Sequence, residues 1–170
     1  VPGVHNQHNA ALAIELATAT GTPITPTDLN TFGGLPHRLC RIETDGPYQF
    51  IDDSKSTTPE ATVLAVQSLG PPEHTHLIAG GYDKGADLSP ISDLAGRLAG
   101  LYTIGQTGPA LAAQASKDAH DCGTLEKAVA MARSHMKPGH TLLLSPGCAS
   151  WDQFTDFRAR GTQFVKLVGS

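Results

Sequence analysis

The sequence Ile51-Asp52-Asp53-Ser54-Lys55-Ser56-Thr57-Thr58-Pro59-Glu60 joins two predicted elements. The apolar run at residues 48–51 is typical of a strand. Thr58 as N-cap, Pro59 at the first helical position and Glu60 in the first turn predict a helix after it. Carboxylates, an ammonium group and hydroxyls are thus concentrated between a strand end and a helix N-terminus, where free N–H groups favour anions. An ordinary capped turn would also explain this stretch alone.

Downstream of residue 48, short apolar runs alternate with helical patterns. Asp45-Gly46 indicates a hairpin between strands at 39–43 and 48–51. The repeated strand–helix order favours a mainly parallel sheet with helices on both faces. The predicted fold is therefore α/β: a Rossmann-like, mainly parallel sheet with one antiparallel hairpin strand. The other predicted strands are 75–79, 101–104 and 141–144, and the predicted helices are 59–69, 89–98, 109–116, 125–135, 151–157 and 163–168.

The first part of the chain has a different pattern. Residues 5–20 carry apolar side chains at a helical period, which predicts an amphipathic helix. The sequence Thr25-Pro26-Thr27-Asp28 indicates the start of a second, short helix. The following Phe32-Gly33-Gly34-Leu35-Pro36 is typical of a hinge or linker.

This linker predicts a domain boundary near Gly34. We expect residues 1–34 to be the C-terminal helices of a preceding domain plus the linker, and residues 35–170 to be a second domain. The chain begins at Val1 rather than at Met, so we also expect it to be part of a longer protein.

Composition narrows the function classes. The 170 residues are 39% hydrophobic and 16% charged, with a net charge of −4, so the clustered basic residues of a nucleic-acid-binding protein are not expected. No apolar run reaches the roughly 18 residues that cross a bilayer. The three cysteines lack the spacing of a metal site and the eight histidines are scattered, so neither a disulfide nor a metal site is predicted.

Polar, turn-rich loops follow three of the predicted strands, at residues 52–58, 80–85 and 145–150. Ligands of open α/β sheets bind outside the carboxyl ends of the strands. Each side chain alone could be a solvated charge, a helix cap or a turn former. Together they favour a site for an anionic small molecule with carboxylates or phosphates. The side chains concerned are Asp53, Lys55, Thr57, Lys84 and Ser150.

Several common catalytic motifs are missing from the sequence. Residues 80–85 have the wrong spacing for a GxxxxGK[ST] phosphate loop, and no glycine loop precedes Lys55. No GxGxxG opens a helix, and no GxSxG surrounds Ser54 or Ser150. The residues alone therefore indicate anion binding without an evident catalytic group.

Five sequence blocks, in colinear order, resemble the Mur ligase family. The resemblance spans essentially the whole chain, and the block Ser145-Pro146-Gly147-Cys148-Ala149-Ser150-Trp151-Asp152-Gln153-Phe154 is its most specific part. That block resembles the branch of the family that adds D-glutamate. The other four blocks are Gly3-x-His5-Asn6-x-x-Asn9, Phe32-Gly33-Gly34-Leu35-Pro36-His37-Arg38, Asp53-Ser54-Lys55-Ser56-Thr57 and Gly80-Gly81-Tyr82-Asp83-Lys84-Gly85.

The resemblance implies an enzyme of peptidoglycan-precursor synthesis in the bacterial cytoplasm, and we expect a monomer. Such ligases use ATP and Mg²⁺ to phosphorylate the carboxylate of UDP-N-acetylmuramoyl-L-alanine. The amine of D-glutamate then attacks the acyl phosphate through a tetrahedral intermediate. In the family, the phosphate loop, the metal ligands and the UDP site lie in upstream domains, so this chain resembles the C-terminal domain with the last helices of the central ATPase domain. We expect it to be inactive alone.

The resemblance also implies residue roles. Asn9, Arg38 and Asp53 match positions that contact the nucleotide. The positions that hold D-glutamate are matched by Thr57, Lys84, Ser150 and the backbone near Phe157, with Lys55 adding positive charge. For His37, a packing or hinge role and a ligand contact both remain open, and Trp151 replaces a more familiar Phe or Leu.

Two alternatives remain open at this point. One is another Mur-like amide ligase, such as a folylpolyglutamate-type enzyme, although the block at residues 145–154 is evidence against it. The other is a free-standing anion-binding module.

Overall fold

The structure is a computed structural model and describes residues 4–31, 34–115 and 119–169. Gly3 of the first family block, Phe32-Gly33 of the predicted linker and Ser116 at a predicted helix end lie outside the described residues. The chain forms two compact units, Val1–Pro36 and His37–Ser170.

The first unit contains the predicted N-terminal helix, α1 (Val4–Ala19), and a short 3₁₀ helix, Asp28–Thr31. The side chain of Asp28 accepts hydrogen bonds from the backbone N and the hydroxyl of Thr25, both at 2.7 Å. These bonds stabilise the turn that leads into the 3₁₀ helix, where the sequence predicts the start of a short helix.

The second unit is an α/β domain built on a mixed sheet. Across the described residues the sheet has six strands in the order β1-β2-β6-β3-β4-β5. The pair β1–β2 is antiparallel and every other pair is parallel, which confirms the predicted fold class. The strands are β1 (Cys40–Ile42), β2 (Gln49–Asp52), β3 (Thr75–Gly80), β4 (Gly100–Ile104), β5 (Ala119–Gly123) and β6 (Thr141–Leu144), and the helices are α2 (Pro59–Ser68), α3 (Ser89–Ser92), α4 (Gly108–Gln114), α5 (Leu125–His135) and α6 (Phe157–Val168), with 3₁₀ turns at Pro72–His74 and Ala95–Arg97.

Each face of the sheet is covered by helices, as predicted. On one face, Ile78 and Leu142 pack with buried side chains of α5 and α6. On the other, Leu77 and Leu143 pack with residues of α2, α3 and α4. Successive strand residues therefore enter opposite cores, because side chains alternate across a strand. All residues of β3, β4 and β6 are buried, which is typical of central parallel strands.

The prediction of a helix at residues 151–157 is wrong. Residues 151–156 form turns, and one continuous helix, α6, begins at Phe157. The Asp152 carboxylate accepts from Gln106 N at 2.8 Å, and Gln153 donates to the Gly123 carbonyl at 2.6 Å. These bonds hold residues 151–156 against neighbouring loops rather than in a helix. Asp156 then caps α6 by accepting from Ala159 N at 2.8 Å.

Two smaller predictions also differ from the structure. The sequence Ala119–Gly123 forms the edge strand β5, which the sequence pattern did not predict because only Cys122 in it is fully buried. The predicted helix 89–98 is divided into the short α3 and a 3₁₀ turn at Ala95–Arg97. No helix among the described residues combines the length and apolar character needed to cross a membrane.

Candidate functional site

The three predicted loops lie side by side at the carboxyl edge of the sheet. The strands β2, β6 and β3 are neighbours, so the loop after β6 lies between the other two. Its Gly147 N donates to the Ser56 carbonyl at 3.0 Å, and Tyr82 N donates to its Ala149 carbonyl at 2.8 Å. Backbone hydrogen bonds therefore join the three loops into one surface.

A buried arginine that we did not assign from the sequence stabilises this surface from below. Arg160 of α6 is fully buried, and its guanidinium donates to Ser54 Oγ and to the Ser54 carbonyl, both at 3.0 Å. It also donates to the Cys148 carbonyl at 3.1 Å and to the Ala149 carbonyl at 3.3 Å. Burial lowers the pKa of Arg160 to about 10, so the side chain is charged at neutral pH. One cation thus holds the loops after β2 and β6.

A sequence signal for Arg160 does exist. The buried positions of α6 are Arg160, Gly161, Phe164 and Val168, which share one helical face. An arginine within the apolar stripe of an amphipathic helix is expected to have a buried polar partner. The sequence does not show that this partner lies in a loop more than a hundred residues away.

Asp53, a predicted nucleotide ligand, is nearly fully buried. Its carboxylate accepts from Ser145 Oγ at 2.8 Å and from Leu39 N at 3.2 Å. Burial raises the pKa of Asp53, while hydrogen bonds from Ser56, Ser145 and Leu39 act in the opposite direction. In this structure the side chain therefore connects β1, β2 and β6 within the domain.

The neighbouring Asp52 holds the segment that enters the domain. Its carboxylate lies 2.7 Å from His37 Nδ1, and the His37 carbonyl accepts from Lys55 N at 2.9 Å. His37 and Leu39 have positive φ angles of 61° and 47°, which are uncommon for residues other than glycine. A Cβ at Gly161 would collide with the His37 ring, so this packing requires glycine there.

The predicted D-glutamate-binding side chains occupy the three joined loops. Lys84 is exposed, at a turn where the Asp83 carboxylate accepts from Gly85 N at 2.7 Å. Thr57 is partly buried and Ser150 is 2% exposed. Within the described ranges, neither the Lys84 ammonium nor the Thr57 hydroxyl has a hydrogen-bond or ion-pair partner. Both groups are therefore available to a ligand.

Phe157 and Lys55 are in contact. The Lys55 ammonium lies 4.4 Å from the centroid of the Phe157 ring. Trp151 is 64% exposed and packs against Tyr82 with ring centroids 5.6 Å apart, so it forms part of the outer surface of the loops. Cys148 is buried, its Sγ lies 3.5 Å from Thr107 Oγ1, and burial raises the pKa of the thiol. Cys148 is therefore a neutral packing group.

The remaining predicted residues lie elsewhere. Asn9 is exposed on α1, in the first unit, and Arg38 is partly buried just before β1. The described residues contain no group of three or more His, Cys, Asp or Glu side chains that could hold a metal ion.

The second unit of the chain is an α/β domain with a mainly parallel sheet, and its ammonium and hydroxyl groups lie on loops at the carboxyl edge, where ligands of open α/β sheets bind. Residues 37–148 match the family model described as Mur ligase, glutamate ligase domain. The chain belongs to the Mur ligase family.

Curated relatives are similar along nearly the whole chain. UDP-N-acetylmuramoylalanine–D-glutamate ligase of Zymomonas mobilis is 40% identical over 171 residues, covering 98% of this chain and 38% of the relative. The ligase of the same name from Escherichia coli K12 is 39% identical over 169 residues, covering 98% of this chain and 39% of the relative. The chain therefore spans about two fifths of the length of these relatives.

Solved structures share the fold at low sequence identity. MurF ligase from Thermotoga maritima in complex with ADP has a TM-score of 0.68 and 18% identity, covering 94% of this chain and 36% of that one. Mycobacterium tuberculosis folylpolyglutamate synthase complexed with ADP has a TM-score of 0.71 and 16% identity, and the match covers 98% of this chain and 41% of the synthase chain.

Proposed function

We propose that this chain is the amino-acid-binding part of a longer ATP-dependent ligase that adds D-glutamate to UDP-N-acetylmuramoyl-L-alanine. The observation that carries the proposal is the 39–40% identity of nearly the whole chain to ligases named for this reaction. The proposal places the enzyme in the cytoplasm, as a monomer. It also takes residues 1–34 as the end of the central ATPase domain and residues 35–170 as the C-terminal domain.

The proposed chemistry needs an activated carboxylate. A carboxylate is a poor electrophile, and transfer of the γ-phosphoryl group of ATP gives an acyl phosphate and ADP. The D-glutamate amine attacks the acyl carbon, and the tetrahedral intermediate expels phosphate to leave an amide. ATP and Mg²⁺ would be held mainly by the part of the enzyme that this chain does not contain. This chain would hold and orient the amine-bearing substrate.

The joined loops suit a dicarboxylate. D-Glutamate carries two carboxylates, and each is stabilised by an ammonium, guanidinium or hydroxyl donor. Lys84 and Lys55 lie on the two outer loops, and Ser150 lies on the loop between them. We assign Lys55, Thr57, Lys84, Ser150 and Phe157 to D-glutamate. Asn9, Arg38 and Asp53 are assigned to the nucleotide.

The function is tested by ATP-dependent phosphate release from the full-length ligase. With UDP-N-acetylmuramoyl-L-alanine as acceptor, we expect release with D-glutamate and not with L-glutamate, L-lysine or diaminopimelate. Preference for another amino acid would contradict the substrate but keep the family. Absence of release with every amino acid would favour a binding module.

Lys84→Ala is expected to raise the KM for D-glutamate by about 10- to 100-fold. The variant removes a charge-assisted hydrogen bond worth about 1.5–3 kcal/mol, and about 1.4 kcal/mol corresponds to a factor of ten. Steady-state kinetics of the full-length ligase measure the effect. Lys166→Ala is a matched control, because Lys166 is exposed in the last turn of α6, remote from the loops. An unchanged KM in Lys84→Ala would remove Lys84 from the carboxylate site.

A further inference from the structure

Two cations contact the same aromatic ring at the edge of the candidate site. The Lys55 ammonium lies 4.4 Å and the Arg158 guanidinium carbon 4.8 Å from the centroid of Phe157. The ring also has an edge contact with His37, with centroids 6.2 Å apart. Lys55 comes from the loop after β2 and Arg158 from the first turn of α6, so the ring brings together cations from two distant segments.

This arrangement is electrostatically unfavourable without an anion. Arg158 lies at the N-terminal end of α6, where the helix dipole is positive and acidic side chains are preferred. Two like charges that share one ring also repel each other, and a partly buried ring compensates for only part of that repulsion. A local arrangement that breaks such preferences is expected at a functional position.

Of the two cations, only Arg158 has a carboxylate within ion-pair distance among the described residues. Asp156 accepts from Ala159 N with one oxygen, and its other oxygen lies 3.4 Å from Arg158, in an exposed ion pair of the kind that contributes little. Asp52 is buried and is engaged by His37. In the described part of the chain, Lys55 has no carboxylate within ion-pair distance.

A hydrogen bond joins the backbone of Phe157 to the loop that carries Lys55. The Phe157 carbonyl accepts from Ser54 Oγ at 2.8 Å, and the same hydroxyl accepts from the buried Arg160. Phe157 is therefore fixed to the loop that carries Lys55. A fixed ring limits the freedom that both cations lose when a ligand binds, which favours affinity.

The position of the pair fits the second carboxylate of a dicarboxylate. Lys84 lies after β3 and the Lys55–Arg158 pair beside the end of β2, with the β6 loop and its Ser150 between them. Strands two places apart in a sheet are separated by about 10 Å, which two long cationic side chains can bridge around a small diacid. A guanidinium also matches a carboxylate geometrically, with two parallel N–H donors.

We propose that Arg158 is a further substrate-binding residue, which together with Lys55 on the Phe157 ring binds one carboxylate of the incoming amino acid. This inference rests on the proposed function. A phosphate group of the nucleotide has similar chemistry, and the experiment distinguishes the two sources.

The test replaces Arg158 by methionine in the full-length ligase. We expect the KM for D-glutamate to rise about tenfold, with kcat and the KM for ATP within about twofold, because one charged contact is lost. Arg158→Lys should recover part of the loss. Arg41→Met is a matched control, since Arg41 is an exposed arginine on the edge strand β1.

The outcomes separate the two proposals. An unchanged KM for D-glutamate in an active ligase overturns the role of Arg158, and a rise confined to the KM for ATP overturns the carboxylate assignment. If the ligase does not use D-glutamate, the 170-residue chain can be titrated with glutarate and with inorganic phosphate while the Arg158 Nε–H NMR signal is followed. A shift with glutarate, absent with phosphate, supports the carboxylate site, and no shift with glutarate overturns it.

Discussion

Arg160→Met is expected to lower the free energy of unfolding by about 3 kcal/mol or more. The variant keeps the side-chain length but leaves the buried carbonyls of Ser54 and Cys148 without their Arg160 donor, while the Ala149 carbonyl keeps its bond from Tyr82 N. Each unsatisfied buried polar group costs about 1–3 kcal/mol. The loss is a large fraction of the roughly 5–15 kcal/mol that stabilises a typical domain.

Urea unfolding of the 170-residue chain at pH 7 measures this loss. Arg158→Met is the matched control, because Arg158 is exposed on the same helix and its loss should cost less than about 0.5 kcal/mol. Arg160→Lys should recover only part of the stability, since one ammonium cannot reach both loops as a planar guanidinium does. Equal stability of Arg160→Met and the original chain would show that the guanidinium does not stabilise the loops.

The positions of the strands could be predicted from the sequence, whereas the contacts that Arg160 makes with distant loops could not. Central strands such as β3 and β6 are mainly apolar runs followed by polar, turn-rich sequences, so the positions of the strands and of the loops after them were predicted. The order of the strands in the sheet was not predicted, because the crossover that places β6 between β2 and β3 leaves no local pattern in the sequence. The joining of the three loops follows from that order.

Local patterns also fail where tertiary contacts decide the conformation. A helix was predicted at residues 151–157, but residues 151–156 form turns in which the side chains of Asp152 and Gln153 bond to Gln106 N and to the Gly123 carbonyl. The edge strand β5 lacks an apolar run because it pairs on one side only. Asp53 has the composition of an exposed turn, yet the fold buries it beneath Ser145. In each case the partner is distant in sequence.

A second polar network lies near the amino ends of the central strands, away from the candidate site. His76 of β3 is 1% exposed, and its ring nitrogens lie 3.0 Å from Tyr102 Oη and 2.9 Å from His140 Nδ1. Tyr102 Oη also lies 3.0 Å from His135 Nδ1, and the His120 ring stacks on Tyr102 at 5.4 Å. Burial, with His140 and His135 nearby, lowers the pKa of His76 to about 4.

Acidification is expected to destabilise the domain through His76. Unfolded His76 takes up a proton near pH 6.5, whereas the folded group does so near pH 4, so the unfolded state binds more protons between these values. The contribution is complete above about pH 6.5 and is lost as the pH falls to about 4, up to about 3 kcal/mol in total. The raised pKa of Asp53 acts in the opposite direction, because its folded form binds the proton more readily.

Comparison with His76→Phe isolates this effect from the other titrating groups. Unfolding free energies of the original chain and the variant, measured between pH 7.5 and 4, should differ in slope by about one proton below pH 6.5. His8→Gln is the control: His8 is exposed on α1, outside the network, so this variant should keep the original slope. Parallel stability curves for His76→Phe and the original chain would mean that His76 does not titrate differently in the two states. Any loss of stability on acidification that the two proteins share would then arise from other titrating groups.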